Sequence, residues 1–223
     1  MVEVSASILD LKEEDSIKTL YNLETSNIDY FHVDVMDGKF VENNSADKMY
    51  KYSNYIKQIS NLPIDVHLMV ENVKKYVDEY LDFSPRIITF HIEVVKNKQE
   101  AMEIIKYIKE CNCNVGISIK PGTKLEEIYE LLPYIHLVLI MSVEPGKGGQ
   151  TFIDESISKI KELKKYITDN DIDLFIEVDG GINVNNVTEI KDAGTDILVV
   201  GSALIKSDNY EKTVKELKKR EKN

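Results

Sequence analysis

Residues 31–38 read FHVDVMDG, and this short stretch combines two side-chain patterns that rarely share one strand. Its apolar residues alternate, which predicts a β-strand with one face packed against other elements. His32 and Asp34 lie between them and share the opposite face, because side chains two positions apart in a strand point to the same side. An imidazole and a carboxylate on a face that should be packed indicate a site rather than an ordinary core.

Apolar stretches of similar length recur along the 223 residues, and longer amphipathic stretches separate them. Apolar residues at three- and four-residue spacing predict helices, with residues 99–110 and 152–167 as examples. Residues that favour a helix start are Asp10, Ser45, Asn97 and Asp154. The stretches that we interpret as strands are 2–9, 30–36, 64–70, 86–92, 114–119, 137–143, 174–179 and 197–202.

The alternation of strand and helix predicts an α/β fold with parallel strands, right-handed crossovers and helices on the outside. An open doubly wound sheet is one such arrangement. A closed (β/α)8 TIM barrel fits the number of strands and the chain length better. Because no linker, low-complexity segment or charge block divides the sequence, we expect residues 1–223 to form a single catalytic domain.

Composition narrows the classes of partner. The formal net charge of -11 argues against nucleic acid, since lysine and arginine supply most of that affinity. An anionic small substrate is still compatible with a locally positive site. No apolar run approaches the roughly 20 residues that span a bilayer, and the first residues lack a signal-peptide pattern. Cys111 and Cys113 would point to opposite faces of a strand, so we expect reduced thiols and a cytoplasmic protein.

Polar residues gather at the carboxyl ends of the predicted strands, where barrel enzymes place their active sites. They are Ser7, His32, Asp34, His67, His91 and Asp179. His67 can join His32 and Asp34 from the next strand, and Asp179 can close the set from across the barrel. Two histidines and two aspartates suit one divalent metal ion, namely Zn²⁺, Fe²⁺, Mn²⁺ or Co²⁺. A satisfied network of buried polar groups is the alternative.

The two aspartates also suit acid/base chemistry. Removal of a proton next to a carbonyl needs a base on one face of the substrate and stabilisation of the resulting enediolate, which a metal ion can provide. If Asp34 and Asp179 flank a substrate on opposite faces, one can take the proton and the other can return it. Such a pair would invert a carbon centre.

Glycine-rich segments follow the last three predicted strands, at 143–150, 178–181 and 199–203. Glycine lets backbone N–H groups approach an anion, and the loops after strands 7 and 8 of such barrels commonly bind phosphate. Each segment alone is a weak turn signal. Three consecutive loops at one end of a barrel predict a phosphate-binding cup.

Several motifs taken together resemble the ribulose-phosphate 3-epimerase family. They run in order and nearly from end to end: HVDVMDGKF at 32–40, DVHLMV at 65–70, ITFH.E at 88–93, MSVEPGKGGQTFI at 141–153, EVDGGIN at 177–183 and AGTDILVVGSA at 193–203. The resemblance implies a metal-dependent (β/α)8 barrel of the pentose phosphate pathway. Its implied reaction interconverts D-ribulose 5-phosphate and D-xylulose 5-phosphate, and its implied assembly is a homo-oligomer.

The resemblance also implies roles for individual residues. The implied proton acceptor and donor are Asp34 and Asp179. The implied metal ligands are His32, Asp34, His67 and Asp179. The resemblance implies that Ser7 and His67 touch the substrate. The residues implied to bind it mainly at its phosphate end are Gly146, Lys147, Gly148, Gly149, Asp179, Gly180, Gly181, Gly201 and Ser202.

Some positions depart from the family pattern. Lys147 stands where the family commonly has phenylalanine, Lys120 where asparagine is common, and Glu42 where proline is common. None of these changes removes an implied ligand or acid/base residue. They bear on substrate preference and loop rigidity more than on the chemistry.

Three alternatives remain open at this level. A sister enzyme could epimerise another ketose phosphate, such as D-allulose 6-phosphate, with the same site. A related barrel decarboxylase or aldolase-like enzyme would use an Asp-x-Lys-x-x-Asp arrangement, and no lysine stands two residues after Asp34. A non-catalytic sugar-phosphate sensor on the same fold would not need both carboxylates and both metal histidines.

Overall fold

A computed structural model describes residues 2–219 and shows the closed barrel that the sequence predicts. Eight parallel strands pair in sequence order, and β1 pairs with β8 to close the sheet. Each of the predicted strands is present. They are β1 Glu3–Ser7, β2 Tyr30–Met36, β3 Ile64–Met69, β4 Ile87–His91, β5 Asn114–Ile119, β6 Leu137–Met141, β7 Phe175–Asp179 and β8 Ile197–Val200.

Helices cover the outside of the barrel. They are α1 Ser16–Glu24, α2 Ala46–Ile59, α3 Val73–Tyr80, α4 Lys98–Glu110, α5 Glu155–Asp169, α6 Val187–Asp192, α7 Ser202–Ile205 and α8 Tyr210–Lys218. The predicted alternation of strand and helix is wrong after β5. Two 3-10 segments, Leu125–Glu127 and Tyr129–Tyr134, take that place, and Pro133 inside the second cannot donate a helical hydrogen bond.

The predicted helix starts have mixed outcomes. Asn97 caps α4, since its side chain accepts a hydrogen bond from the Glu100 amide. Ser45 and Asp154 precede α2 and α5 without a side-chain cap bond. Asp10 starts no helix, because α1 begins at Ser16 after a 3-10 turn. The carboxylate of Asp10 instead lies at the mouth of the barrel.

The two cysteines do not share a strand, which corrects the sequence-based placement. Cys111 directly follows α4 and Cys113 precedes β5, with a turn at Asn112 between them. Both are free thiols, as expected. None of the helices within residues 2–219 combines the length and apolar character that a bilayer crossing requires.

Strand alternation divides the barrel into two apolar layers and one polar region. Phe31, Val33 and Val35 belong to the large core between the sheet and the helices. A smaller apolar cluster, including Leu139 and Val199, fills part of the interior. The inward side chains of β2 and β3 include four polar ones instead, and the register pairs His32 with Asp65 and Asp34 with His67.

Gly116 on β5 tests how tightly the interior is packed. A Cβ added there would lie 2.2 Å from Oγ1 of Thr89 and 2.9 Å from Cδ2 of Leu137. We expect Gly116→Ala to lower the free energy of unfolding in urea by about 1–3 kcal/mol, the usual cost of overpacking. Gly122→Ala is the control, because nothing lies within 4 Å of its added Cβ. Equal stability of the two variants would show that Thr89 can move aside.

Candidate active site

The four predicted metal ligands meet at the carboxyl end of the barrel. His32 and Asp34 come from β2, His67 from β3 and Asp179 from the last position of β7. One ligand atom from each residue lies within 4.8 Å of the others. The strand register accounts for most of this, because Asp34 and His67 are direct neighbours in the sheet. The i, i+2 spacing then brings His32 to the same interior face.

Both histidines direct a ring nitrogen towards one oxygen of Asp34. Nδ1 of His67 lies 3.1 Å and Nε2 of His32 lies 3.2 Å from Oδ1 of Asp34. Nε2 of His32 is buried and has no hydrogen-bond partner among the described residues. Ser7 Oγ donates a 2.8 Å hydrogen bond to the other oxygen of Asp34. A buried nitrogen without a partner, beside carboxylate oxygens, fits a divalent cation held by this set.

The other nitrogen of His32 contacts a residue that the sequence analysis missed. Nδ1 lies 2.5 Å from Oδ2 of Asp65 and 4.0 Å from Oε1 of Glu177. All three side chains are buried. By distance they could also group around an ion, but 2.5 Å between Nδ1 and Oδ2 is a hydrogen-bond separation, so we interpret Asp65 as the group that orients His32.

Asp65 and Glu177 could have been found from spacing alone. Asp65 precedes His67 by two residues and Glu177 precedes Asp179 by two, the same offset that links His32 to Asp34. In each strand the earlier carboxylate therefore lies one layer deeper on the interior face. The signal was a second ionisable residue two positions before the predicted ligand in the same strand.

Burial and neighbouring charges shift the pKa values of the residues in this cluster in different directions. Burial opposes ionisation of Asp34, but the adjacent His32 and His67 outweigh it and hold the pKa of Asp34 well below its usual value. Burial, assisted by the charge of Asp34, raises the pKa of Asp179 to about 6. Burial also disfavours a charged His32, yet Asp65 and Asp34 keep the pKa of His32 well above normal. A cation at this site would displace that ring proton.

A pocket opens directly above the cluster. Ser7, Asp34 and Asp179 line it, together with Met36, Met69 and Met141. All eight predicted loop residues line the same pocket: Gly146, Lys147, Gly148, Gly149, Gly180, Gly181, Gly201 and Ser202. His67 is 0% exposed and is not among the lining residues, so its contact with substrate stays a prediction.

The loop after β7 needs glycine for two separate reasons. Gly180 and Gly181 have positive φ angles of 124° and 67°, which other residues seldom adopt. A Cβ on Gly181 would also lie 2.3 Å from the backbone nitrogen of Phe152. Ser142 Oγ donates hydrogen bonds to the carbonyl oxygens of Asp179 and Gly180. These contacts hold Asp179 at the pocket wall.

Two other loops meet across the pocket mouth. Asn43 Nδ2 donates a 2.7 Å hydrogen bond to the carbonyl oxygen of Gly146. A Cβ on Gly148 would lie 2.4 Å from the carboxylate of Asp10. The loops after β1 and β2 therefore support the glycine-rich loop after β6. Lys147, at the tip of that loop, is exposed.

Comparisons with known proteins agree with this geometry. Residues 3–205 match the family described as the ribulose-phosphate 3 epimerase family. A ribulose-phosphate 3-epimerase of Methanocaldococcus jannaschii is 39% identical, with 98% of this chain and 90% of that protein covered. The Escherichia coli enzyme of the same name is 35% identical, with 92% and 88% covered.

Solved structures support the fold. KGPDC from Streptococcus mutans has a TM-score of 0.72 at 10% identity, with 98% of this chain and 96% of that chain covered. At this identity the likeness concerns the fold alone.

Metal binding can be tested by comparing two histidines. We expect metal-stripped protein to bind one equivalent of Zn²⁺, and His32→Gln to weaken binding by at least about 100-fold, because a direct ligand is lost. His136→Gln is the control, since His136 is exposed and its Nδ1 only accepts a hydrogen bond from the Val115 amide. Zn²⁺ titration against a chelating dye measures both. Equal affinity of the two variants would contradict the assignment.

Proposed function

Because the chain belongs to the ribulose-phosphate 3-epimerase family, we propose that it interconverts D-ribulose 5-phosphate and D-xylulose 5-phosphate. The observation that carries this proposal is the pairing of Asp34 and Asp179 in one pocket, with ligand atoms within 4.8 Å above two buried histidines. The whole of residues 1–223 would act as one catalytic domain, working in the cytoplasm as a homo-oligomer.

The proton transfers follow from the two carboxylates. One aspartate in its ionised form takes the proton from C3, and the electron pair moves into an enediolate between C2 and C3. The other aspartate, in its protonated form, returns a proton to C3 from the opposite face. The configuration at C3 is then inverted, and the reverse reaction exchanges the two roles. The opposite pKa shifts of Asp34 and Asp179 are in keeping with such a division.

His32, Asp34, His67 and Asp179 would hold one divalent ion, such as Zn²⁺, Fe²⁺, Mn²⁺ or Co²⁺. When bound, it would supply a fixed positive charge beside the place where negative charge develops. Ser7 donates to Asp34 and keeps that carboxylate in one orientation. Met36, Met69 and Met141 provide an apolar wall that excludes water.

The phosphate end of the substrate would lie among the glycine-rich loops. Backbone N–H groups can approach an anion closely at Gly146, Gly148, Gly149, Gly180 and Gly181, which carry no side chain. Gly201 and Ser202 complete the ring of loops around the pocket. No lysine or arginine is buried within residues 2–219, so main-chain donors and the exposed Lys147 would supply the attraction.

The central test is an epimerase assay on two ketose phosphates. We expect the wild-type protein to turn over D-ribulose 5-phosphate faster than D-allulose 6-phosphate and to incorporate solvent deuterium at C3. Asp34→Asn and Asp179→Asn should each lower kcat by about 10²–10⁴-fold, the usual contribution of acid/base groups. Asp208→Asn is the control, because Asp208 is exposed and is not among the pocket-lining residues.

An aspartate variant that keeps more than about a tenth of the wild-type rate would contradict the two-base role. Binding of D-ribulose 5-phosphate without any deuterium exchange would instead identify a sensor.

Lys147 offers a separate test of the phosphate cup. We expect Lys147→Phe, which restores the common family residue, to raise KM by about two- to fivefold with little change in kcat, because an exposed ion pair contributes only modest uniform binding. Lys161→Gln on the outer helix α5 is the charge-matched control. Steady-state kinetics at two salt concentrations measure the effect. An unchanged KM would make Lys147 a surface residue without a role in binding.

A further inference from the structure

A continuous set of contacts runs from His67 through His91 to Glu93, and the proposed reaction does not use it. Nε2 of His67 lies 2.9 Å from Nε2 of His91, at the end of β4. Nδ1 of His91 lies 3.0 Å from Oε2 of Glu93. His91 is buried and its ring stacks on that of His67, with 5.0 Å between centroids.

The other oxygen of Glu93 already has two donors. Oε1 accepts a 2.8 Å hydrogen bond from the Lys120 amide and a hydrogen bond from the Thr123 hydroxyl. The loop that carries both donors is held in turn by Lys159, whose Nζ donates to the carbonyl oxygens of Lys120, Pro121 and Thr123. Glu93 is therefore fixed as an acceptor.

The fixed acceptor Glu93 determines which ring nitrogens of His91 and His67 carry a proton. Because Glu93 accepts, Nδ1 of His91 must be the donor, and a neutral His91 then has a lone pair on Nε2. Nε2 of His67 must donate to that lone pair. The remaining nitrogen of His67, Nδ1, is left free to face Asp34 at 3.1 Å. The hydrogen bonds through His91 to Glu93 thus select the His67 tautomer with its proton on Nε2, which a cation bound at Nδ1 requires.

We propose that His91 and Glu93 are positioning residues that fix the tautomer and ring orientation of His67, so that Nδ1 serves as a metal ligand. The inference rests on the proposed metal site but not on the identity of the sugar substrate. Phe40 from the loop after β2 packs against the His91 ring, with 4.8 Å between ring centroids.

The first test reads proton positions directly. The sequence has 4 histidines, so ¹⁵N-histidine labelling gives a simple two-bond ¹H–¹⁵N spectrum. In Zn²⁺-loaded protein we expect His91 to carry its proton on Nδ1 and His67 on Nε2, with assignments from His67→Gln and His91→Gln. A His91 proton on Nε2 would overturn the proposal. This readout needs no catalysis, so an inactive protein with the expected tautomers would contradict only the proposed function.

The second test replaces Glu93, the fixed hydrogen-bond acceptor. In Glu93→Gln the amide oxygen faces the donors of Lys120 and Thr123, so the amide N–H₂ faces His91. The His91 proton should then move to Nε2, opposite the Nε2 proton of His67, and Zn²⁺ affinity of the metal-stripped protein should fall about 10–100-fold.

Glu130→Gln is the control, because Glu130 is exposed and pairs only with Lys98 among the described residues. Its affinity should not change. If Glu93→Gln does not fold, Thr123→Val removes one donor to Glu93 and should weaken Zn²⁺ binding by a smaller factor. Wild-type affinity and tautomers in a folded Glu93→Gln protein would overturn the proposal.

Discussion

The site depends on two interactions that the buried ring of His32 makes. Its Nδ1 lies 2.5 Å from Asp65 and its Nε2 lies 3.2 Å from Asp34. The barrel interior also contains Glu177 and Asp179, and no buried lysine or arginine occurs within the described chain to offset these carboxyl groups. Charges of this kind cannot stay uncompensated away from water. Protons, histidines or a bound cation must balance them.

That constraint explains why the inner groups differ so much in acidity. Burial and the proximity of Asp65 raise the pKa of Glu177 well above normal, so this carboxyl group can remain neutral and needs no counter-ion. Asp65 is shifted the other way, because His32 outweighs the effect of burial on its pKa. The deeper layer can thus hold His32 in place without a metal ion. Asp34 and Asp179 lie two residues after His32 and Glu177 on their strands, at the pocket, where they can take part in proton transfer.

Most of the fold and the central site could be predicted from sequence, and the failures have a common cause. Strand alternation identified all eight strands, and i, i+2 spacing placed His32 beside Asp34. Local patterns did not show where side chains would find partners. Asp10 has the chemistry of a helix cap but lies at the pocket mouth, and Ser45 donates to the carbonyl oxygen of Asp34 rather than capping α2. Tertiary contacts decided both.

The departures from the family pattern lie on the rim, and Lys120 shows why the interior tolerates them. Its contact with Glu93 uses the backbone N–H, which any residue except proline provides. The side chain is free for another contact, and its Nζ lies 4.1 Å from the centre of the Phe40 ring. Phe40 in turn packs against His91. A lysine at this position can therefore alter the packing of the outer loop, while the main-chain hydrogen bond to Glu93 and the contacts from Glu93 through His91 to His67 stay the same.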